Sequence, residues 1–275
     1  MKAHRIRATL PALAAAGFAL AFAGLTSPSQ ASDSWPSIRA ELYGARVINE
    51  DAKNITLTAP DRPDNQMDVP VAVDAAFKDG RTVKSVTILV DENPAPVAAK
   101  FKFNQARQHV GLAAKFRFDA VTGVRAIVEA SDGQLYMAAR HVRFTGGQSA
   151  CSAPPNGSEA EILARMGNTQ LAALGPRAIA SNTAQRIKVD ISHPNHTGMV
   201  KDQISLLYIP LRLLDKVAVQ QSGDTVVEIE GSMSLSQDPS FEFDYLTDGS
   251  EELTVSASDT SGGAWKHTLP LRPSS

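Results

Sequence analysis

The sequence predicts an all-β chain of two antiparallel β-sandwich domains joined by a partly helical linker. Three observations lead there. Short runs with apolar and polar residues alternating recur through both halves of the 275 residues. Turn dipeptides containing glycine, Asp79-Gly80, Asp132-Gly133, Gly223-Asp224 and Asp248-Gly249 among them, punctuate those runs. Between neighbouring runs there is no stretch with the length and period of a crossover helix, which a parallel sheet would require.

Taken in order, the first residues read as a secretory address. Lys2, Arg5 and Arg7 form a basic start, an apolar run spans residues 10–25, and Ser29-Gln30-Ala31 supplies a small-x-small cleavage site. The run is shorter than the roughly 20 residues a membrane-spanning helix needs, and no twin arginine is present, so general secretion is the expected route. Cleavage after Ala31 leaves a mature chain expected in the periplasm. Losing three cations shifts the formal net charge from −2 to −5. A mildly acidic chain without a lysine-arginine cluster argues against nucleic acid and against anionic membranes as partners.

Residues 34–43 predict a short helix with Ser34 as N-cap and a packing face of Trp35, Ile38 and Leu42. Strands are expected over 54–60, 69–77, 86–90, 97–103, 114–118, 125–129 and 135–144. The runs Lys-Phe-Lys-Phe at 100–103 and Lys-Phe-Arg-Phe at 115–118 place aromatics inward and cations outward. The first domain thus spans 32–145. Residues 146–183 form an arm and linker, with a helix from Ser158, where Ser158 and Glu161 make a capping box. The second domain spans 184–275, with strands over 187–191, 225–230, 240–245 and 252–256.

The segment 145–155, Thr-Gly-Gly-Gln-Ser-Ala-Cys-Ser-Ala-Pro-Pro, holds the only cysteine, Cys151. An exported protein with one cysteine has no internal disulfide partner, which points to a reactive thiol or an intermolecular bond. The plainer alternative is a buried thiol acting as a small hydrophobe. Gly146 and Gly147 make the segment pliable, and no bulky apolar side chain anchors it, so an exposed, mobile thiol arm with Gly146, Gly147 and Ser152 around it is expected. No base or triad adjoins Cys151, so no catalytic residue is assigned. His193 and His196 form a His-x-x-His pair, but zinc sites want three or four ligands, and a turn shaped by Pro194 and Gly198 is the expected role. No metal and no cofactor are expected. Trp35 and Trp265 read as packing residues.

The stretch Ile-Ser-His-Pro-Asn-His-Thr-Gly-Met-Val-Lys-Asp at 191–202 resembles the His-Pro-x-x-x-Gly signature of SoxZ, one half of the sulfur carrier of thiosulfate oxidation. Ile209-Pro210, residues 234–243 and residues 255–262 continue the match in order. The run Asn-Pro-Ala-Pro-Val-Ala-Ala-Lys-Phe at 93–101 resembles the Asn-Pro-x-Pro-x-Ala-x-Phe pattern of SoxY, one residue longer. The chain therefore resembles a fused SoxYZ-type carrier of the kind associated with quinoprotein dehydrogenases. The resemblance implies two immunoglobulin-like sandwiches, SoxY-like then SoxZ-like. It also implies a carrier thiol at Cys151, no active site of the chain's own, and sulfur-oxidising or quinoprotein dehydrogenase enzymes as partners. In SoxY the carrier cysteine lies in a Gly-Gly-Cys-Gly-Gly end at a free C-terminus. Here Cys151 is internal, and Gln148, Ser149 and Ala150 separate it from Gly146-Gly147. A doubly tethered loop enters a partner only as a hairpin. Two readings follow: a covalent sulfur carrier, or a non-covalent accessory module for a periplasmic dehydrogenase.

Overall fold

The structure, a computed structural model, describes residues 33–144, 149–175, 180–203 and 205–273. The secretory address and the glycines Gly146 and Gly147 lie outside the described residues.

In the first half, helix α1 (Trp35–Tyr43) precedes β1 (Ile48–Glu50), β2 (Ile55–Thr58), β3 (Val69–Ala76) and β4 (Val83–Val90). Then come β5 (Val97–Phe103), β6 (His109–Phe116), β7 (Thr122–Ala130) and β8 (Leu135–Val142). A single 3-10 turn (Ala150–Ser152) and α2 (Glu159–Arg165) lead to β9 (Thr169–Ala173) and β10 (Thr183–Ile191). The second half continues with β11 (Leu214–Gln221), β12 (Asp224–Gly231), β13 (Ser240–Thr247), β14 (Glu252–Asp259), β15 (Ala264–Pro270) and β16 (Arg272–Pro273).

These strands make two sheets, and each sheet draws on both halves of the chain. One has the order β1-β8-β7-β4-β5-β12-β11-β14-β15, the other β16-β9-β10-β13-β6-β3-β2. The two expected sandwiches are thus present, but they join edge to edge rather than packing as separate bodies. Strand β5 pairs antiparallel with β12, Phe101 opposite Ile229, and β6 pairs with β13, Leu112 opposite Phe243. An open strand edge invites foreign pairing, and each half covers an edge of the other in both layers. Residues 31–275 consequently form one compact unit. The cross-layer contact at this junction is aromatic: Phe101 and Phe241 meet edge-on at 6.1 Å and 75°.

The alternation in Lys-Phe-Lys-Phe plays out as expected, with Phe101 and Phe103 buried. In Lys-Phe-Arg-Phe it holds for Phe116 and Phe118, but Arg117 is buried instead of facing water. Helix α1 buries Ile38. Ser34 does not cap it, and its hydroxyl instead donates to Glu92 at 3.0 Å. Leu42 of the expected packing face stands exposed, while Trp35 lies under the Arg125 guanidinium at 4.3 Å. The capping box at α2 forms, the Glu161 carboxylate accepting from Ser158 N at 3.0 Å. The linker is more ordered than its composition predicted, because β9 adds to β10 through five register pairs, Thr169 to Ala173.

A buried thiol at the junction of the two halves

The segment that carries Cys151 follows β8 and folds back against the junction. Ala150 and Cys151 are both buried, Cys151 with no exposed surface. The expectation of an exposed, mobile thiol is therefore corrected for this conformation. Ser152, expected on the arm, is half-buried and donates from Oγ to Ser149 O at 3.2 Å.

Partners distant in sequence cause the burial. Asp119, just after β6, accepts from Cys151 N at 2.9 Å and from the Ser149 hydroxyl. From the other side, Thr197 Oγ1 donates to the Cys151 carbonyl at 2.5 Å. A carboxylate of the first half and a hydroxyl of the second thus hold the cysteine backbone between them.

The loop that supplies Thr197 begins with His193-Pro194 and is itself tightly specified. Asn195 sits at φ 47° and Gly198 at φ 77°, left-handed conformations that asparagine and glycine tolerate best. Asn195 N donates to His193 Nδ1 at 3.0 Å. That fixes the proton on Nε2, which faces Asp259 Oδ2 at 3.4 Å. Burial of Asp259 raises its pKa, but Arg212 and the amides of Gly263 and Ser261 outweigh that and hold the carboxyl below its usual range. Burial pushes His193 down to about 4 against the pull of Asp259, so the imidazole is neutral at physiological pH. Trp265 stands edge-on to the His193 ring at 6.0 Å. The His193 ring thus braces the loop, while His196 Nε2 faces Glu159 Oε2 at 3.3 Å, and among the described residues no group of three or more His, Cys, Asp or Glu side chains is arranged to hold a metal.

Arg117 was missed by sequence reasoning. Its Nη1 donates to Asn195 O at 2.7 Å and Leu235 O at 2.8 Å, and Nη2 reaches Pro194 O at 3.4 Å. One guanidinium from the first half therefore gathers three carbonyls of the second. Burial lowers its pKa to about 10, which leaves it cationic at neutral pH. Asn93, from the first-half motif, does related work. Its amide donates to Arg117 O at 2.7 Å and Ser234 Oγ at 2.8 Å, and its carbonyl oxygen accepts from Asp119 N at 2.9 Å.

The electrostatics disfavour a thiolate here. Burial first, and then the charge and hydrogen bond of Asp119, push the Cys151 thiol up to about 12, while Arg117 pulls weakly the other way. A neutral thiol is a poor nucleophile, so the capped cysteine is chemically quiet. Asp119→Asn keeps the acceptor for Cys151 N and removes the charge. We expect it to lower the apparent thiol pKa, read as the midpoint of the thiolate ultraviolet absorbance.

The comparisons agree with the two-part reading. The family model for sulfur oxidation protein SoxY matches residues 39–149, and that for sulphur oxidation protein SoxZ matches residues 174–270. Cys151 falls between the two matched stretches. Among solved structures, the sulfur carrier protein SoxY from Chlorobium limicola f thiosulfatophilum is 26% identical, covering 41% of this chain and 97% of its own, with a TM-score of 0.35. A superoxide reductase (neelaredoxin) from Ignicoccus hospitalis is 13% identical, covering 34% of this chain and 83% of its own, with a TM-score of 0.28. No curated protein matches the chain. With SoxY and SoxZ matches in tandem over most of one polypeptide, the chain belongs to the SoxYZ type, as a fused form of the sulfur-oxidation carrier.

Proposed function

We propose that the protein carries a sulfur group covalently on Cys151 in the periplasm and presents it to partner enzymes, acting as a carrier with no active site of its own. The observation that carries this reading is the position of the only cysteine, in the segment between the SoxY and SoxZ stretches and held by residues of both.

Transfer requires the cysteine to leave its cap. Among the described residues, the hydrogen bonds that tie the cysteine segment to the two halves are the Asp119 contacts and the Thr197 bond. At about 1 kcal/mol for a neutral hydrogen bond and about 2 for one to a charged group, opening costs a few kcal/mol. That is well within reach of local fluctuation. The closed state then protects the thiol and the open state delivers it. A sulfur-oxidising enzyme or a quinoprotein dehydrogenase is the partner this reading expects.

Burial of the thiol favours a second reading, in which the protein is a non-covalent accessory module for a periplasmic quinoprotein dehydrogenase and Cys151 only fills space. Intact mass measurement of protein isolated from its native compartment separates the two. The carrier reading expects adducts that reductant removes and that Cys151→Ser abolishes. Unmodified wild-type protein under sulfur-oxidising growth would support the accessory module.

A further inference from the structure

The two halves share the second sheet only briefly, and a groove opens where they part. The ladder between β6 and β13 runs from Ala114 opposite Phe241 to Leu112 opposite Phe243 and stops there. Side chains bridge the gap beyond it. Gly111 N donates to Asp244 Oδ2 at 2.9 Å, and Arg107 Nη1, from the loop between β5 and β6, donates to Asp244 O. Here lies a groove of about 480 Å³ whose walls include Ala106, Arg107, His109, Ala184, Asp244 and Leu246.

Arg107 is only 5% exposed, and its guanidinium stacks over the Phe103 ring at 4.9 Å. With Nη1 on Asp244 O, the other two nitrogens, Nε and Nη2, are buried without a hydrogen-bond partner. These two share one edge of the guanidinium and form a fork that matches both oxygens of a carboxylate. The carboxylate of the groove does not fill it. Asp244 gives Oδ1 to Arg186 Nη1 at 3.2 Å and Oδ2 to Gly111 N, and it makes no ion pair with Arg107. His109 is likewise engaged, its Nε2 2.8 Å from Asp74 Oδ2. Burial lowers the Arg107 pKa to about 10 against the pull of Asp244, so the fork is cationic at neutral pH.

We propose that this groove binds a small aliphatic carboxylate, its two oxygens on the Nε–Nη2 fork of Arg107 and its tail against Ala106, Ala184 and Leu246. Cys151 takes no part, so the site stands or falls apart from the carrier reading. Buried charged donors are costly to leave unpaired, and one carboxylate satisfies both at once. The apolar walls favour a carbon tail over an inorganic oxyanion, and the charge of Asp244 favours a monoanion over a dianion such as sulfate. Both nitrogens are covered, so the anion enters as the 104–108 loop shifts; Asn104, Ala106 and Gln108 of that loop are exposed.

The test uses the purified protein at constant ionic strength, with formate, acetate, propionate, butyrate and sulfate as probes and chloride as the reference. The carboxylates should bind saturably, butyrate more tightly than formate. They should also move the Arg107 Nε–H resonance, which is identified by its loss in Arg107→Lys. That variant keeps a cation but not the fork, and should weaken butyrate binding by at least about tenfold, equivalent to about 1.4 kcal/mol. If it does not fold, Ala184→Glu sets a like charge in the groove from an exposed strand position and should weaken butyrate by a similar factor. Sulfate binding as tight as that of butyrate would overturn the carboxylate assignment. An Arg107 resonance that no carboxylate moves would mean a fork held by water alone, and would overturn the site.

Discussion

Arg117→Leu is expected to destabilise the protein by about 3 to 5 kcal/mol, the usual cost of breaking a buried charged network from one side. The loss follows from the geometry. Leucine leaves the carbonyls of Asn195 and Leu235 without the donor that reaches both, and each orphaned buried acceptor costs about 1 to 3 kcal/mol. It also releases the loop that carries Thr197. At about 2 to 4 °C per kcal/mol for a chain of this size, thermal unfolding should drop by roughly 6 to 20 °C. Arg117→Lys should recover only part of it, because an ammonium can take the place of Nη1 at Asn195 O and Leu235 O but leaves Pro194 O, which Nη2 reaches, without its donor. A melting temperature within about 2 °C of wild type, under 1 kcal/mol, would show that Arg117 does not hold the halves together.

The second large effect is a loss of stability in mild acid, centred on His193. In the unfolded chain this imidazole titrates near 6.5, and in the folded protein burial delays protonation until about pH 4. Between those values the unfolded state binds a proton that the native state refuses. The stabilisation is complete above pH 6.5, falls as pH drops through the window, and is fully lost near pH 4. The gap corresponds to about 3 kcal/mol. A structural reason accompanies the number: protonation at Nδ1 would set two donors against each other, since Asn195 N already points there at 3.0 Å. Denaturant titrations from pH 7 to 4 should show the decline, and His193→Asn, which keeps an acceptor for Asn195 N, should flatten it. An unchanged slope in that variant would assign the acid sensitivity to other groups.

The fold was largely legible from period-two patterning. Strand β5 falls on its predicted bounds, and the Phe101, Phe103, Phe116 and Phe118 positions were readable as core because alternation is a local signal. Strand β11 was not found. Against β14 its register shifts between Leu214 and Lys216, so a bulge at Asp215 interrupts the alternation at the strand's start. The edge-to-edge union of the halves was likewise hidden, since which strand edges meet is a long-range choice.

At the site, the cysteine and the His-Pro loop were identifiable from the sequence, and their relation was not. Glycine, serine and alanine around Cys151 do suggest an exposed segment when read locally. Asp119 lies 32 residues away and Thr197 46 residues away, and these two decide the outcome. Arg117 looked like the outward cation of a strand because its neighbour Lys115 is one. Its inward turn depends on three carbonyls presented by the other half of the chain. Gly146 and Gly147, expected to make the arm pliable, lie outside the described residues.

The central claim is that Cys151 is sheltered when closed and released by local opening, and native-state alkylation with iodoacetamide tests it most directly. The rate should be followed at rising denaturant concentrations below the unfolding transition. A local opening exposes little surface, so the rate should be nearly independent of denaturant, yet faster than global unfolding allows. Thr197→Val, which removes one restraint on the cysteine backbone, should raise it by roughly tenfold for about 1.4 kcal/mol lost. If alkylation instead tracks global unfolding in both magnitude and denaturant dependence, Cys151 is a core residue and the carrier account is wrong.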